Sequence, residues 1–233
     1  MITFNPAPDR AVVERHSPLV ASFLALIARA ARPEGLALTR TGRFGRAVIA
    51  EAAARFPFPG FGAHDHAARS PAPSERDVPP LAVLRALMLE LGLARATGRR
   101  LIATEAGAAL GADPSRAFTT LVPALLFGAA HAHETGTALP GDWRLFLAVV
   151  NAEAAEGMSA YAFAASLYGT DDTEPALRLF ESVLRPLGWT GLLTPPPRTA
   201  MLAHAFRLTP LWHDAVQLSR DAGADNVVPM RTP

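Results

Sequence analysis

One stretch near the middle of the chain constrains the fold more than any other. A leucine-rich helical pattern over 79–91 is followed by Gly92, which stands where a helix ends. The segment 93–103 then has two short runs on either side of Gly98, a pattern that predicts a tight β-hairpin. Thr104 follows as the cap of a further helix. The alternative interpretation is an all-helical bundle with a loop at 93–103.

Two helices are predicted upstream of this stretch. Apolar residues recur at helical spacing over 19–31. The residues 36–38 are compatible with a short strand. Thr39 or Thr41 is expected to cap a second helix that runs to about Phe56. Three helices followed by a hairpin is the order of elements in a winged helix.

The second half of the sequence repeats this order. Helices are predicted over 142–156, 159–168 and 173–187, with glycine after the first two. Leu187-Gly188-Trp189 matches Leu91-Gly92-Leu93, and the segment beginning at Phe206 matches the one beginning at Leu101. The two matches differ in offset, so the second wing is expected to be about nine residues longer than the first.

These patterns predict a mainly α protein made of tandem winged-helix-like units with short β-hairpin wings. Between 57 and 80 the sequence is rich in Pro, Gly, Ser and His, which predicts a long loop inside the first unit. The expected division is an irregular arm at 1–17, a first unit at 18–110, a helical linker at 111–141, a second unit at 142–219 and a loose tail at 220–233.

Several of these motifs together suggest a family. Leu38-Thr-x-x-Gly42, the helix ending in Leu-Gly-Leu93, the basic hairpin and the Thr104-x-x-Gly107 step resemble the tandem winged-helix region of uncharacterised bacterial proteins related to plasmid ORF-3-like proteins. The resemblance covers about 18–110 and, more loosely, 142–219. It implies the fold, but it implies no reaction and supplies no catalytic residues.

Composition excludes several kinds of chemistry. Cysteine is absent, which excludes disulfides, thiolate metal sites and cysteine nucleophiles. All 22 residues counted as Lys or Arg are arginine, which excludes Schiff bases and a phosphate-loop lysine. The sequence has no signal-peptide pattern and no apolar run near the ~18 residues that a membrane span needs. We therefore expect a cytoplasmic protein without a membrane partner.

The arginines suggest a nucleic-acid partner. The first 110 residues hold 14 Arg and 9 acidic residues, whereas the rest of the chain holds 8 Arg and 12 acidic residues. Fork-shaped guanidinium groups suit phosphate, so duplex DNA is the expected partner of the basic half, bound mainly through phosphate contacts in a possible regulatory role. The candidate binding residues are Arg40, Arg43 and Arg46 along one side of the second helix, Arg85 on the third helix, and Arg95, Arg99 and Arg100 on the wing. The alternative interpretation is that these arginines form a solvent-exposed basic face without a binding role.

A second hypothesis follows from the third helices. The first of them is almost wholly apolar and offers only Arg85 and Glu90 for reading bases. Acidic residues on its counterpart at 173–187 would repel phosphate. A protein–protein adaptor that docks through its winged helices, or a homodimer, is therefore the alternative to DNA binding.

The remaining candidates point to no enzyme. The pairs His64/His66 and His131/His133 each offer two imidazoles near one carboxylate, whereas a metal site generally needs three or four ligands. We therefore expect no bound metal and no cofactor. Trp143, Trp189 and Trp212 are interpreted as core anchors. The sequence contains no phosphate loop, nucleophile elbow or dinucleotide fingerprint, so no enzymatic activity is expected.

Overall fold

The computed structural model describes residues 2–55, 58, 73–128, 143–194 and 202–218. In this part of the chain the protein is mainly helical, with two small antiparallel sheets, as predicted. The elements in chain order are β1 (Ile2–Phe4), α1 (Arg10–His16), α2 (Pro18–Ala30), β2 (Leu36–Ala37), α3 (Arg46–Arg55), a 3₁₀ turn (Glu75–Asp77), α4 (Pro79–Glu90), β3 (Ala94–Thr97), β4 (Arg100–Ala103), α5 (Glu105–Leu110), α6 (Pro114–Phe127), α7 (Trp143–Glu153), α8 (Ala160–Tyr168), α9 (Thr173–Leu179), a π turn (Phe180–Leu184), α10 (Arg185–Thr190), α11 (Pro210–Ala215) and β5 (Val216–Leu218).

The predicted hairpin is present. Strands β3 and β4 pair in antiparallel register from Ala94↔Ala103 to Thr97↔Arg100, so two residues form the turn. Gly98 has a φ of 59°, which fits the first central position of a type II′ turn, where glycine is preferred. Strand β2 pairs with the other edge of β4, which gives the strand order β2-β4-β3. In the first unit, α2 is therefore followed by β2, by the two helices α3 and α4 and by the wing. The second strand of the wing, β4, pairs with β2.

The segment before α3 differs from expectation. Thr39 and Arg43 close a loop, because the amide of Thr39 donates to the Arg43 carbonyl at 2.7 Å and the amide of Arg43 donates to Thr39 Oγ1 at 3.1 Å. An isolated bridge between Leu38 and Phe44 closes the loop at its base. The prediction that Thr39 or Thr41 caps the helix is wrong, since α3 begins only at Arg46.

The N-terminal residues are also more ordered than predicted. Strand β1 pairs with β5, so that Thr3 lies opposite Gln217. Helix α1 is capped by Asp9, whose side chain accepts from the Val12 amide at 3.0 Å, and it packs against α6 and α11. The expectation of an irregular arm at 1–17 is wrong, because strand partners more than 200 residues apart leave no local signal. The predicted loose tail at 220–233 lies outside the described residues.

The second unit repeats the topology of the first with fewer strand contacts. Met158 bridges Phe206 and Leu193 bridges Leu208, both antiparallel, so the returning segment again lies between the other two. Phe206 therefore takes the place of Leu101, which pairs with Leu36 in the first unit. The sequence match between Phe206 and Leu101 is thus confirmed, because each of them pairs with the residue at the equivalent position in its own unit.

A threonine marks equivalent points in the two units. Thr104 Oγ1 donates to the Gly92 carbonyl at 2.7 Å and also caps α5. Thr209 Oγ1 donates to the Gly191 carbonyl at 2.6 Å and caps α11 in the same way. These pairs are 12 and 18 residues apart, so the second wing is longer by six residues. The predicted nine is wrong because Gly191, and not Gly188, is the counterpart of Gly92.

The displacement of the helix-ending glycine from Gly188 to Gly191 has a local cause. The third helix of the second unit does not stop at Leu187 but continues to Thr190. A π turn at Phe180–Leu184 stands just before Pro186, whose ring cannot supply an amide donor to the regular helical ladder. Gly188 lies inside this continuation, and Gly191 ends it with a φ of 84°.

The two units share one hydrophobic core. A single cluster of buried side chains runs from Val13 in α1 to Val216 in β5. Helix α10 packs against α2 and α6, and α4 also packs against both of them. Helix α10 of the second unit therefore contacts α2 of the first unit, and α6 lies against the third helices of both units.

None of the helices described is by itself long and apolar enough to cross a membrane. Helices α1 and α2 meet that test only as a pair bent by 93°, and one face of α2 is buried in the core.

Candidate functional site

Six of the seven predicted binding arginines are exposed and lie around the β2-β4-β3 sheet. We call this set the wing surface. It consists of Arg40 and Arg43 in the loop after β2, Arg46 at the start of α3, Arg95 on β3, Arg99 in the hairpin turn and Arg100 at the start of β4.

Backbone pairing brings these six positions to one end of the sheet. Ala37 pairs with Arg100, and the next amide, that of Leu38, donates to the Arg99 carbonyl at 2.8 Å. The loop carrying Arg40 and Arg43 therefore leaves β2 beside the tip of the wing. The amide of Gly45, just before α3, returns to donate to the Ala37 carbonyl at 2.8 Å. The sequence placed Arg40 and Arg43 on a helix face, whereas the structure places them in a loop next to the wing.

Strand alternation orders the arginines of the wing itself. Arg95 pairs with Ile102 and Thr97 pairs with Arg100, so these side chains share one face of the hairpin. Leu101 points to the opposite face and is fully buried. Arg95 and Arg100 thus lie on the solvent face, where the Arg100 guanidinium also approaches the Pro33 carbonyl at 3.5 Å.

The wing surface carries uncompensated charge. None of the ion pairs formed among the described residues involves any of its six arginines. Some arginines elsewhere are paired, such as Arg10 with Glu14 at 2.9 Å and Arg178 with Glu174 at 2.7 Å. Positive charge without neighbouring carboxylates is what phosphate binding requires.

Arg85 does not belong to this surface. It is only 9% exposed, and its Nε donates to Glu75 Oε1 at 2.9 Å. The same carboxylate oxygen accepts the amide of Phe44 at 3.1 Å. The prediction that Arg85 contacts nucleic acid is wrong, because a buried guanidinium paired with Glu75 ties α4 to the 3₁₀ turn and to the loop before α3. Glu75 and Arg85 lie ten residues apart, a separation that no spacing rule connects.

Most of the third helices is covered by the chain, and the exposed part is α9 in the second unit, which presents Glu174, Leu177 and Arg178. In α4 only Glu90 is exposed, and in α10 every residue after Arg185 is buried. Ser182 in the π turn is fully buried. The apolar character that suggested a docking surface is therefore explained by packing within the chain.

The predicted histidine pairs, His64/His66 and His131/His133, lie outside the described residues. Among the residues that the structure does describe, no group of three or more His, Asp or Glu side chains is arranged to hold a metal ion. Trp143, Trp189 and Trp212 are all buried, as predicted for core anchors, and the indole of Trp212 donates to Asn151 Oδ1 at 3.0 Å.

Comparison with known proteins divides the chain into an N-terminal and a C-terminal domain. Residues 15–116 match the model of the Y4jL N-terminal domain, and residues 133–210 match that of the y4jL C-terminal domain. A curated relative, "Uncharacterized protein y4jL" of Sinorhizobium fredii, is 29% identical over 164 residues, which cover 69% of this chain and 74% of the relative. No solved structure matches significantly. The chain therefore belongs to the bacterial family that the Y4jL N-terminal and C-terminal domains define.

Proposed function

We propose that this protein binds duplex DNA through the phosphate backbone, using the wing surface, and that it acts without catalysis. The observation that carries the proposal is the convergence of six exposed arginines, without described carboxylate partners, at one end of the β2-β4-β3 sheet. Guanidinium groups donate in pairs to phosphate oxygens, and they keep their charge at any physiological pH.

The burial of α4 and α10 sets the expected mode of binding. Base reading in the major groove needs a helix whose polar face is free. Helix α4 offers only Glu90 to solvent, and a carboxylate there opposes phosphate. Binding should therefore depend little on base sequence, which suits a protein that coats or bends DNA or assists a sequence-specific partner. A cytoplasmic location, expected from the cysteine-free sequence, gives access to such a target.

We also infer that each unit is a divergent winged helix related to the plasmid ORF-3-like group. The β2-β4-β3 order, repeated as the bridges of Met158 with Phe206 and of Leu193 with Leu208, supports this inference. The rival function, a protein–protein adaptor that docks through its third helices, has less surface to use, because α4 and α10 are covered by the chain itself and only α9 remains exposed.

The proposal predicts that Arg99→Glu/Arg100→Glu lowers affinity for a random 20-base-pair duplex at least about 30-fold at low salt. Each reversal removes a charged contact worth ~1.5–3 kcal/mol and adds repulsion. Fluorescence anisotropy with a labelled duplex measures the effect.

Arg10→Glu/Arg178→Glu is the matched control, because it changes the net charge equally at two exposed, carboxylate-paired arginines outside the wing surface. Equal loss in both double variants would show that only net charge matters. Full retention of affinity in Arg99→Glu/Arg100→Glu would show that the wing surface is not the binding site.

A further inference from the structure

A second group of arginines, none of them part of the wing surface, lines a cleft between the C-terminal ends of α2 and α3, and Arg100 of the wing surface approaches the edge of this cleft at the Pro33 carbonyl. The cleft has a volume of about 410 Å³ and is lined by Arg29, Arg32, Glu34, Gly35, Glu51 and Arg55. A smaller cavity of about 80 Å³ adjoins it and shares four of these residues. The volume of the cleft is within the range of small-molecule sites.

The cleft itself is a mouth lined by charged side chains and Gly35, whereas the adjoining smaller cavity supplies an apolar floor. The floor consists of Ala25, Leu26, Val48 and Ala52, and the last three of these are buried. The mouth carries three guanidinium groups on its two sides. A ligand with one anionic end and one apolar end fits this division.

Glu51 holds two of the guanidinium groups in place. Its Oε2 pairs with Arg29 and its Oε1 pairs with Arg55 at 3.3 Å, so one carboxylate connects the two helices. Each guanidinium has five N–H donors, so each keeps donors for a ligand after pairing with one carboxylate oxygen. Arg29 and Glu51 are each about one third exposed, at 35% and 34%, and their positions are fixed by the pair.

Arg32 is the remaining cation of the mouth. It is exposed, and within the described part of the chain its side chain forms no ion pair or hydrogen bond with an acidic residue. The carboxylates of Glu34 and Glu51 offset two of the three arginine charges. A phosphate group matches the remaining N–H donors, because three guanidinium groups can each donate to a different phosphate oxygen.

From this arrangement we propose that the cleft binds a small organic phosphate monoester, whose phosphate contacts Arg29, Arg32 and Arg55 and whose apolar part lies on the floor. The site shares no arginine with the wing surface and does not depend on DNA binding. Sequence spacing did not suggest it, because its arginines come from the ends of two different helices.

Isothermal titration of the full chain with phenyl phosphate and with inorganic phosphate, at fixed ionic strength, tests the proposal. Phenyl phosphate should bind saturably and at least about five-fold more tightly than inorganic phosphate, because its ring buries apolar surface on the floor. Arg32→Gln should weaken phenyl phosphate binding about ten-fold or more. Since the Arg32 side chain supports no described contact, this variant should fold normally, which circular dichroism checks.

Two control variants separate the possible outcomes. Arg10→Gln, with the same loss of charge elsewhere, should leave phenyl phosphate binding unchanged, and so should Arg40→Gln/Arg43→Gln in the wing surface. Absence of saturable binding, equal affinity in wild type and Arg32→Gln, or equal affinity for the two phosphates would overturn the proposal. Loss of DNA binding in the wing variants would not affect it.

Discussion

Gly191→Ala is expected to destabilise the protein by about 3–5 kcal/mol, whereas Gly92→Ala should cost only about 1–2 kcal/mol. The two glycines end the third helices of their units with φ values of 84° and 66°, so alanine is strained at both. They differ in surroundings. A Cβ at Gly191 would overlap the carbonyl of His16, at the junction of α1 and α2, whereas a Cβ at Gly92 meets nothing within 4 Å.

The difference between these two variants therefore reports the contact between the second unit and the N-terminal helices. Urea denaturation followed by circular dichroism gives the free energy of unfolding of each variant. Equal destabilisation by the two substitutions would mean that Gly191 is not pressed against the α1–α2 junction, and it would contradict the shared core.

A second large effect is expected at the buried ion pair. Glu75→Leu should destabilise the protein by about 3–5 kcal/mol, because it leaves the Arg85 guanidinium buried without its carboxylate. It also removes the acceptor of the Phe44 amide. The side chains of Glu75 and Arg85 are 3% and 11% exposed, so water cannot replace the lost partner easily.

The double variant Glu75→Leu/Arg85→Met should recover part of this loss, since it removes the buried charge that has lost the Glu75 carboxylate but not the unpaired Phe44 amide. Glu174→Leu is the control. It breaks another arginine–carboxylate pair, with Arg178 at 2.7 Å, but both side chains are more than half exposed, and little change is expected. Thermal unfolding of the four proteins measures these effects. A Glu75→Leu variant as stable as Glu174→Leu would show that the ion pair contributes nothing.

The sequence was most informative where the signals are local. Gly98 at a two-residue turn, Thr104 as a cap and Gly92 after a leucine-rich helix each act within a few residues, and the structure has all three as predicted. Ser159, predicted to begin a helix, accepts the Ala162 amide at 3.1 Å. The exposed wing arginines were predicted for the same reason, since a hairpin's turn and outer face follow from its register.

Features that depend on distant partners were missed. The pairing of β1 with β5, the burial of Arg85 against Glu75 and the meeting of Arg29 with Glu51 join segments that no spacing rule connects. A threonine such as Thr39 can either cap a helix or close a loop. The pairing of Leu38 with Phe44 favours the loop here. Propensity alone predicts either outcome at such a position.

The salt dependence of duplex binding tests the central claim, phosphate binding by the wing surface, most directly. A plot of the logarithm of the association constant against that of salt concentration should be linear for the wild type. If all six arginines contact phosphates, its slope should be about −5. Arg99→Gln/Arg100→Gln should reduce the magnitude of the slope by about two, while Arg10→Gln/Arg178→Gln should leave it unchanged. A slope near zero, or one that is the same in all three proteins, would contradict the proposed function.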